Sequence, residues 1–179
     1  MSNSPLVSYT KLSPNHSGKR TKKIDTITIH CMAGNLSVET CGNLFASSSR
    51  QASSNYGVGT DGRIALYVDE ANRSWCTSSN ANDQRAVTIE VANNDGAPDW
   101  PVSAKAYAAL LDLVTDICKR NGIKKLVWST SKTDRVNHLN GCNMTVHRDY
   151  AAKACPGDYL YNRHGQIAAE VNRRLGSGS

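Results

Sequence analysis

The chain has 179 residues, 39% of them apolar, which suffices for one domain with a hydrophobic core and is short for two. Lys and Arg number 21 against 15 Asp and Glu, so the net charge is +6 and the pI about 9.1, a balance that draws polyanions. The basic residues are scattered outside GKRTKK at 18–23, with no interleaved aromatics and no nucleic-acid motif, and no apolar run is long enough to span a membrane.

Residues 1–22, rich in Ser, Pro and Asn, read as an extended N-terminal arm, with His16 in a flexible stretch. That start lacks the charged, apolar and small-residue regions of a secretory signal, so synthesis in the cytoplasm without a signal peptide is expected. The six cysteines at 31, 41, 76, 118, 142 and 155 are then expected as buried thiols or metal ligands rather than disulfides.

Ile24 to His30 is β-branched and alternating, and predicts a strand. Ser37 caps a predicted helix through Val38, Cys41, Leu44 and Phe45. Tyr56 to Val58 and Ile64 to Val68 flank Gly59-Thr60-Asp61-Gly62 and predict a hairpin. Ala86 to Ala92 predicts another strand. Between the cap at Ser103 and the stop at Gly122, the stripe Tyr107, Leu110, Leu111, Val114, Ile117 and Cys118 predicts the longest helix. Leu126 to Trp128 reads as a short strand, Ser129 to Asn143 as a long loop, Met144 to His147 as a last strand, and Gln166 to Leu175 as a terminal helix. Residues 176–179, GSGS, read as flexible linker: a cloning remnant or the stub of a longer protein. Strands alternating with helices predict an α/β fold: a single mixed sheet of about five or six strands with helices on both faces, spanning residues 23–175.

The chemistry concentrates in TVHRDYAAKACPG, where His147 and Cys155 stand eight positions apart, and in KIDTITIHCMAG, where His30 closes a strand. Two imidazoles and a thiolate are a donor set for catalytic zinc, which keeps its fourth position for water. Spacing alone leaves a structural histidine and a chance pairing open. Cys31 follows His30 and by strand alternation points to the opposite face, into the core. Glu90 interrupts the apolar strand AVTIEVA on the face opposite Ile89 and Val91, and is either solvent-facing or a partly desolvated base. Lys153, two residues before Cys155, reads by itself as a solvated loop lysine. His138 and Cys142, four apart, could share a helix face and hold a second metal, although a loop is the simpler reading.

HCMAGN after a strand, then SSNYGVGTDGRI, TIEVAN and VHRDYAAKACPG, occur in one order over about residues 24–175. This pattern resembles the zinc-dependent type 2 N-acetylmuramoyl-L-alanine amidases, a family that includes peptidoglycan recognition proteins, and within it endolysin and autolysin catalytic domains of Gram-positive bacteria and their phages. The resemblance implies one zinc ion per chain held by His30, His147 and Cys155, with Glu90 as general base and Lys153 stabilising the oxyanion. It also implies substrate contacts from Trp75 and Asn55, cleavage of the amide between N-acetylmuramic acid and the L-alanine of the stem peptide, and action at the cell wall. Anionic wall polymers are expected partners, and a wall-binding domain is expected beyond Leu175 in a longer protein.

Two departures stand out. A tyrosine found in some relatives eight positions before the turn glycine is replaced by Ser54, counting back from Gly62, and Tyr56 is read as packing. Where many relatives have Trp-His, this chain has Trp75-Cys76-Thr77. The rival readings are a binding module that recognises peptidoglycan without cutting it, and a cysteine peptidase with Cys31 or Cys155 as nucleophile and His147 as base.

Overall fold

The structure, a computed structural model, describes residues 2–176; the remaining three residues of the expected linker lie outside it. Its centre is a six-stranded mixed sheet. In chain order the strands are β1 (Tyr9–Thr10), β3 (Thr26–Cys31), β4 (Tyr56–Val58), β5 (Ile64–Leu66), β7 (Ala86–Val91) and β8 (Met144–Thr145), with β2 (His16–Lys19) and β6 (Asn72–Ser74) forming a separate antiparallel ribbon. The order across the sheet is β1-β5-β4-β7-β3-β8, with only the β4–β5 pair antiparallel. That pair is the expected hairpin, closed by Gly62 N–H on the Gly59 carbonyl at 2.9 Å.

β3 and β7 lie in register, with Ile27 beside Val87, Ile29 beside Ile89, and His30 beside Glu90. Ile27, Ile29, Val87, Ile89 and Val91 pack into the main core together with α3 (Ala104–Asn121) and α6 (His164–Leu175). By alternation Thr28, His30, Thr88 and Glu90 stand on the other face. There α1 (Val38–Ala46) covers a smaller cluster of Val38, Cys41, Phe45, Ala65 and Tyr67. Helices therefore pack on both faces, and His30 and Glu90 emerge side by side where two adjacent strands end.

α1 and α3 begin where expected, with Ser37 Oγ accepting from Thr40 N–H and Ser103 Oγ from Ala106 N–H, and α3 stops at Gly122 in a left-handed conformation, φ 70°. Three expectations are corrected. Residues read as a loose arm are extended but woven into the domain: β1 joins the main sheet, His16 sits in β2, and Ser13 and Asn15 are buried. Leu126 to Trp128 is not a strand, because amide side chains replace a neighbouring strand: Leu126 N–H donates to Asn172 Oδ1 (2.7 Å) and Val127 N–H to Asn143 Oδ1 (2.8 Å). Ser129 to Asn143 is not all loop. It holds one short helix, α4 (Lys132–Asn137), and a 3-10 turn Leu139–Gly141, elements too short to leave an apolar period in the sequence.

Candidate metal centre and cleft

His30 is delivered by the end of β3 and is 1% exposed. His147 opens a 3-10 turn (His147–Asp149) directly after β8, the strand that flanks β3 on its other side. That turn is anchored from below: Asp149 takes a bidentate pair from Arg135 of α4 at 2.7 and 2.9 Å, and both side chains are 3% exposed. Cys155 follows on a loop that ends in Gly157, φ 83°, where an added Cβ would lie 2.6 Å from the Trp100 Cβ, so glycine is required there.

These three elements bring one ligand atom each of His30, His147 and Cys155 within 4.8 Å of one another. His30 Nδ1 is 3.3 Å from Cys155 Sγ, and the two imidazole centroids are 5.1 Å apart. Zinc bonds of about 2.0–2.1 Å to nitrogen and 2.3 Å to sulfur put tetrahedral N and S donors roughly 3.5 Å apart, so the observed spacing fits such an ion. The protonation states fit as well. Burial, and then the neighbouring His147, hold His30 well below its ordinary pKa, and burial followed by Lys153 lowers His147, so both rings are neutral near pH 7, the form that ligates. The Cys155 thiol is pushed up by its hydrogen bond with the Cys31 thiol and by burial. A bound metal would reverse that order by favouring the thiolate, and the Cys31 N–H already donates to Cys155 Sγ, at 3.4 Å.

Glu90 stands beside His30 on the same face, in a cleft of about 310 Å³ that is also lined by Cys31, Trp75, Cys76, His147, Lys153 and Cys155. Burial, more than the nearby Cys31, pushes its carboxyl up to about 8, while a hydrogen bond from Cys76 Sγ, 3.9 Å from Oε1, pulls the other way. Lys153 is exposed at the rim. Trp75 lines the cleft with its indole N–H on Ser17 Oγ (2.8 Å).

Two sequence expectations change here. Cys31 is buried as expected, at 7% exposed, but it also lines the cleft, where its thiol meets that of Cys155. Asn55 is not a cleft residue. It is fully buried, its Oδ1 accepts from Arg20 Nη2 (3.0 Å) and Thr88 N–H (3.1 Å), and its amide donates to Val68, Asp69 and Asn72 carbonyls. Tyr56 packs in the core with its hydroxyl on Glu70 Oε1 (2.7 Å). His138 and Cys142 share no helix face, because His138 adopts φ 52° and its Nδ1 meets the Cys142 carbonyl at 2.9 Å. The sequence reading missed Cys76 as a cleft residue; with His30 and Glu90 it forms a second cluster of potential ligand atoms, also within 4.8 Å. It also missed the loop at 76–78, whose contacts depend on a partner several residues away.

A family profile described as N-acetylmuramoyl-L-alanine amidase matches residues 20–158. No curated protein matches the sequence. Among solved structures, the Staphylococcus aureus hydrolase AmiA in complex with its ligand superposes with a TM-score of 0.71 at 14% identity, over 99% of this chain and 88% of that one. A mutant endolysin from Bacillus subtilis gives 0.66 at 19% identity, over 93% and 99%. The Drosophila peptidoglycan recognition protein SD gives 0.60 at 16% identity, over 87% and 93%. At these identities the likeness establishes the shared fold.

Proposed function

The chain belongs to the N-acetylmuramoyl-L-alanine amidase family, and we propose that it hydrolyses the amide joining N-acetylmuramic acid to the L-alanine of the peptidoglycan stem peptide, at the bacterial cell wall. The observation that carries this reading is the approach of His30, His147 and Cys155 to within 4.8 Å beside a desolvated Glu90. Those three residues would hold zinc. When bound, zinc supplies Lewis acidity and a water pKa of about 7 in place of about 16.

The remaining work falls to the protein. Glu90 accepts the proton of the attacking water, and zinc held by the three ligands would favour the ionised carboxylate that this role needs. The same carboxyl then returns the proton to the departing alanine nitrogen, a transfer suited to a group whose pKa lies near neutrality. Lys153 places a cation at the cleft rim, where it stabilises the negative charge developing on the scissile carbonyl oxygen. Trp75 offers an apolar wall for the sugar or peptide. The net charge of +6 holds the enzyme near anionic wall polymers.

The experiment is purified cell wall incubated with the protein, with and without a chelator, followed by measurement of free N-terminal alanine and of bound metal. The expected result is alanine release by the metal-loaded form, with one zinc per chain, and loss of release on chelation. Wall binding without alanine release would instead identify a binding module. A thiol peptidase, with Cys31 or Cys155 as nucleophile and His147 as base, would instead survive chelation and be lost on alkylation.

A further inference from the structure

The loop that closes the cleft between Trp75 and α2 (Asn80–Arg85) has no role in the reaction described above, yet it reaches the candidate metal centre. Ser78 Oγ lies 3.4 Å from His147 Nε2. The serine is held there in a left-handed conformation, φ 68°, which a residue with a side chain adopts when its surroundings impose it. Those surroundings are dominated by one residue. Asp83 is 0% exposed, and its Oδ2 accepts the backbone N–H groups of both Cys76 and Thr77, each at 3.0 Å, while its Oδ1 accepts the Thr77 hydroxyl.

The anchor is itself fixed to the strands that deliver the two histidines. Asn82, the neighbour of Asp83, donates to Thr28 Oγ1 of β3 (3.1 Å) and accepts from Thr145 Oγ1 of β8 (2.8 Å). A buried carboxylate spent on two backbone N–H groups of one loop is expensive to desolvate, and a serine or asparagine would cap the turn at less cost. The geometry calls for a reason to hold that loop rigidly against His147.

We propose that Asp83 is a positioning residue, which holds the 76–78 loop so that the Ser78 hydroxyl meets His147 Nε2 and fixes the orientation of the ring, leaving Nδ1 for a metal. A hydroxyl both donates and accepts, so the contact orients the ring whichever nitrogen carries the proton. The proposal rests on the reading of His147 as a metal ligand, and it does not depend on what the protein cuts.

The test uses the full chain with Ser78→Ala, Asp83→Ala and the double variant. Three quantities are read without substrate: the mobility of the His147 ring in the metal-free protein by NMR relaxation, the zinc dissociation constant by chelator competition, and the melting temperature. Ser78→Ala is expected to loosen the ring and to weaken zinc binding by about 10-fold or more. Asp83→Ala is expected to do the same, and the double variant to be no weaker than Asp83→Ala alone, because both changes remove one effect. The proposal is overturned if Asp83→Ala lowers the melting temperature but leaves ring mobility and zinc affinity at their original values, or if the two losses multiply. Should Asp83→Ala fail to fold, Ser78→Ala still decides, since an unchanged ring mobility and zinc affinity in that variant sink the proposal. Absence of wall hydrolysis by the unsubstituted protein would count against the amidase reading and leave these three measurements standing.

Discussion

Replacing Glu90 with Gln should abolish catalysis and stabilise the fold in one step. The side chains are nearly isosteric, so the change isolates the charge. Burial raises the Glu90 carboxyl from 4.5 to about 8. At pH 7 the unfolded chain carries an ionised carboxylate, whereas the metal-free folded protein holds it mostly protonated, so folding takes up a proton against the prevailing pH. At about 1.4 kcal/mol per pKa unit, that uptake costs about 3 kcal/mol at pH 7 as an upper bound, and about 1–3 kcal/mol after allowing for the carboxyl's partial contact with water. Gln escapes the cost, which for a chain of this size corresponds to a melting temperature higher by roughly 2–10 °C.

The sign follows from linkage. A group whose folded pKa is raised gives its full stability below its unfolded value and loses it as pH rises toward the folded value. The advantage of Glu90→Gln should therefore be absent near pH 4, grow through neutrality and level off above about pH 8. Calorimetry of the metal-free proteins at pH 4 and pH 7 measures it. Alanine release from wall by the metal-loaded variant should fall about 100- to 10,000-fold, the range for a lost general base. A variant that is equally stabilised at both pH values, or that keeps more than a tenth of the activity, would refute the argument.

Other outcomes follow from the same geometry. Cys155→Ser should lose stoichiometric zinc and wall lysis together, because a neutral hydroxyl is a poor substitute for thiolate; metal analysis after dialysis checks it. Lys153→Met should lower kcat by about 100- to 1,000-fold while bound zinc stays at one per chain, since the change removes an electrostatic donor and no ligand. Sedimentation with purified wall should show binding that weakens as salt rises from about 0.05 to 0.5 M, and binding indifferent to salt would remove the role given to the charge of +6.

Much of the fold could be read from the chain because its signals are local. Ser103, the stripe to Cys118, and Gly122 each act within a few residues, and α3 runs from Ala104 to Asn121 between them. The alternation in β7 likewise separates Glu90 from Ile89 and Val91, because a strand's two faces follow from its two-residue period. Cys31, the last residue of β3, meets the expectation in its burial alone, because its thiol also lines the cleft against Cys155. Asn55 carries no local mark of its role: its five polar neighbours come from three separate stretches of chain, at Arg20, Val68 to Asn72 and Thr88.

The sequence by itself determined the long helices and the central strands, the donor chemistry of His30, His147 and Cys155, and the family to which their order belongs. Only the tertiary structure decided that these donors meet, because their approach depends on β8 pairing with β3 and on Arg135 clamping Asp149 beneath the His147 turn. It alone also set the Glu90 carboxyl near neutrality and brought Asp83 and Ser78 into the same neighbourhood. Desolvation and through-space contact are properties of the packed chain, and no window of sequence contains them.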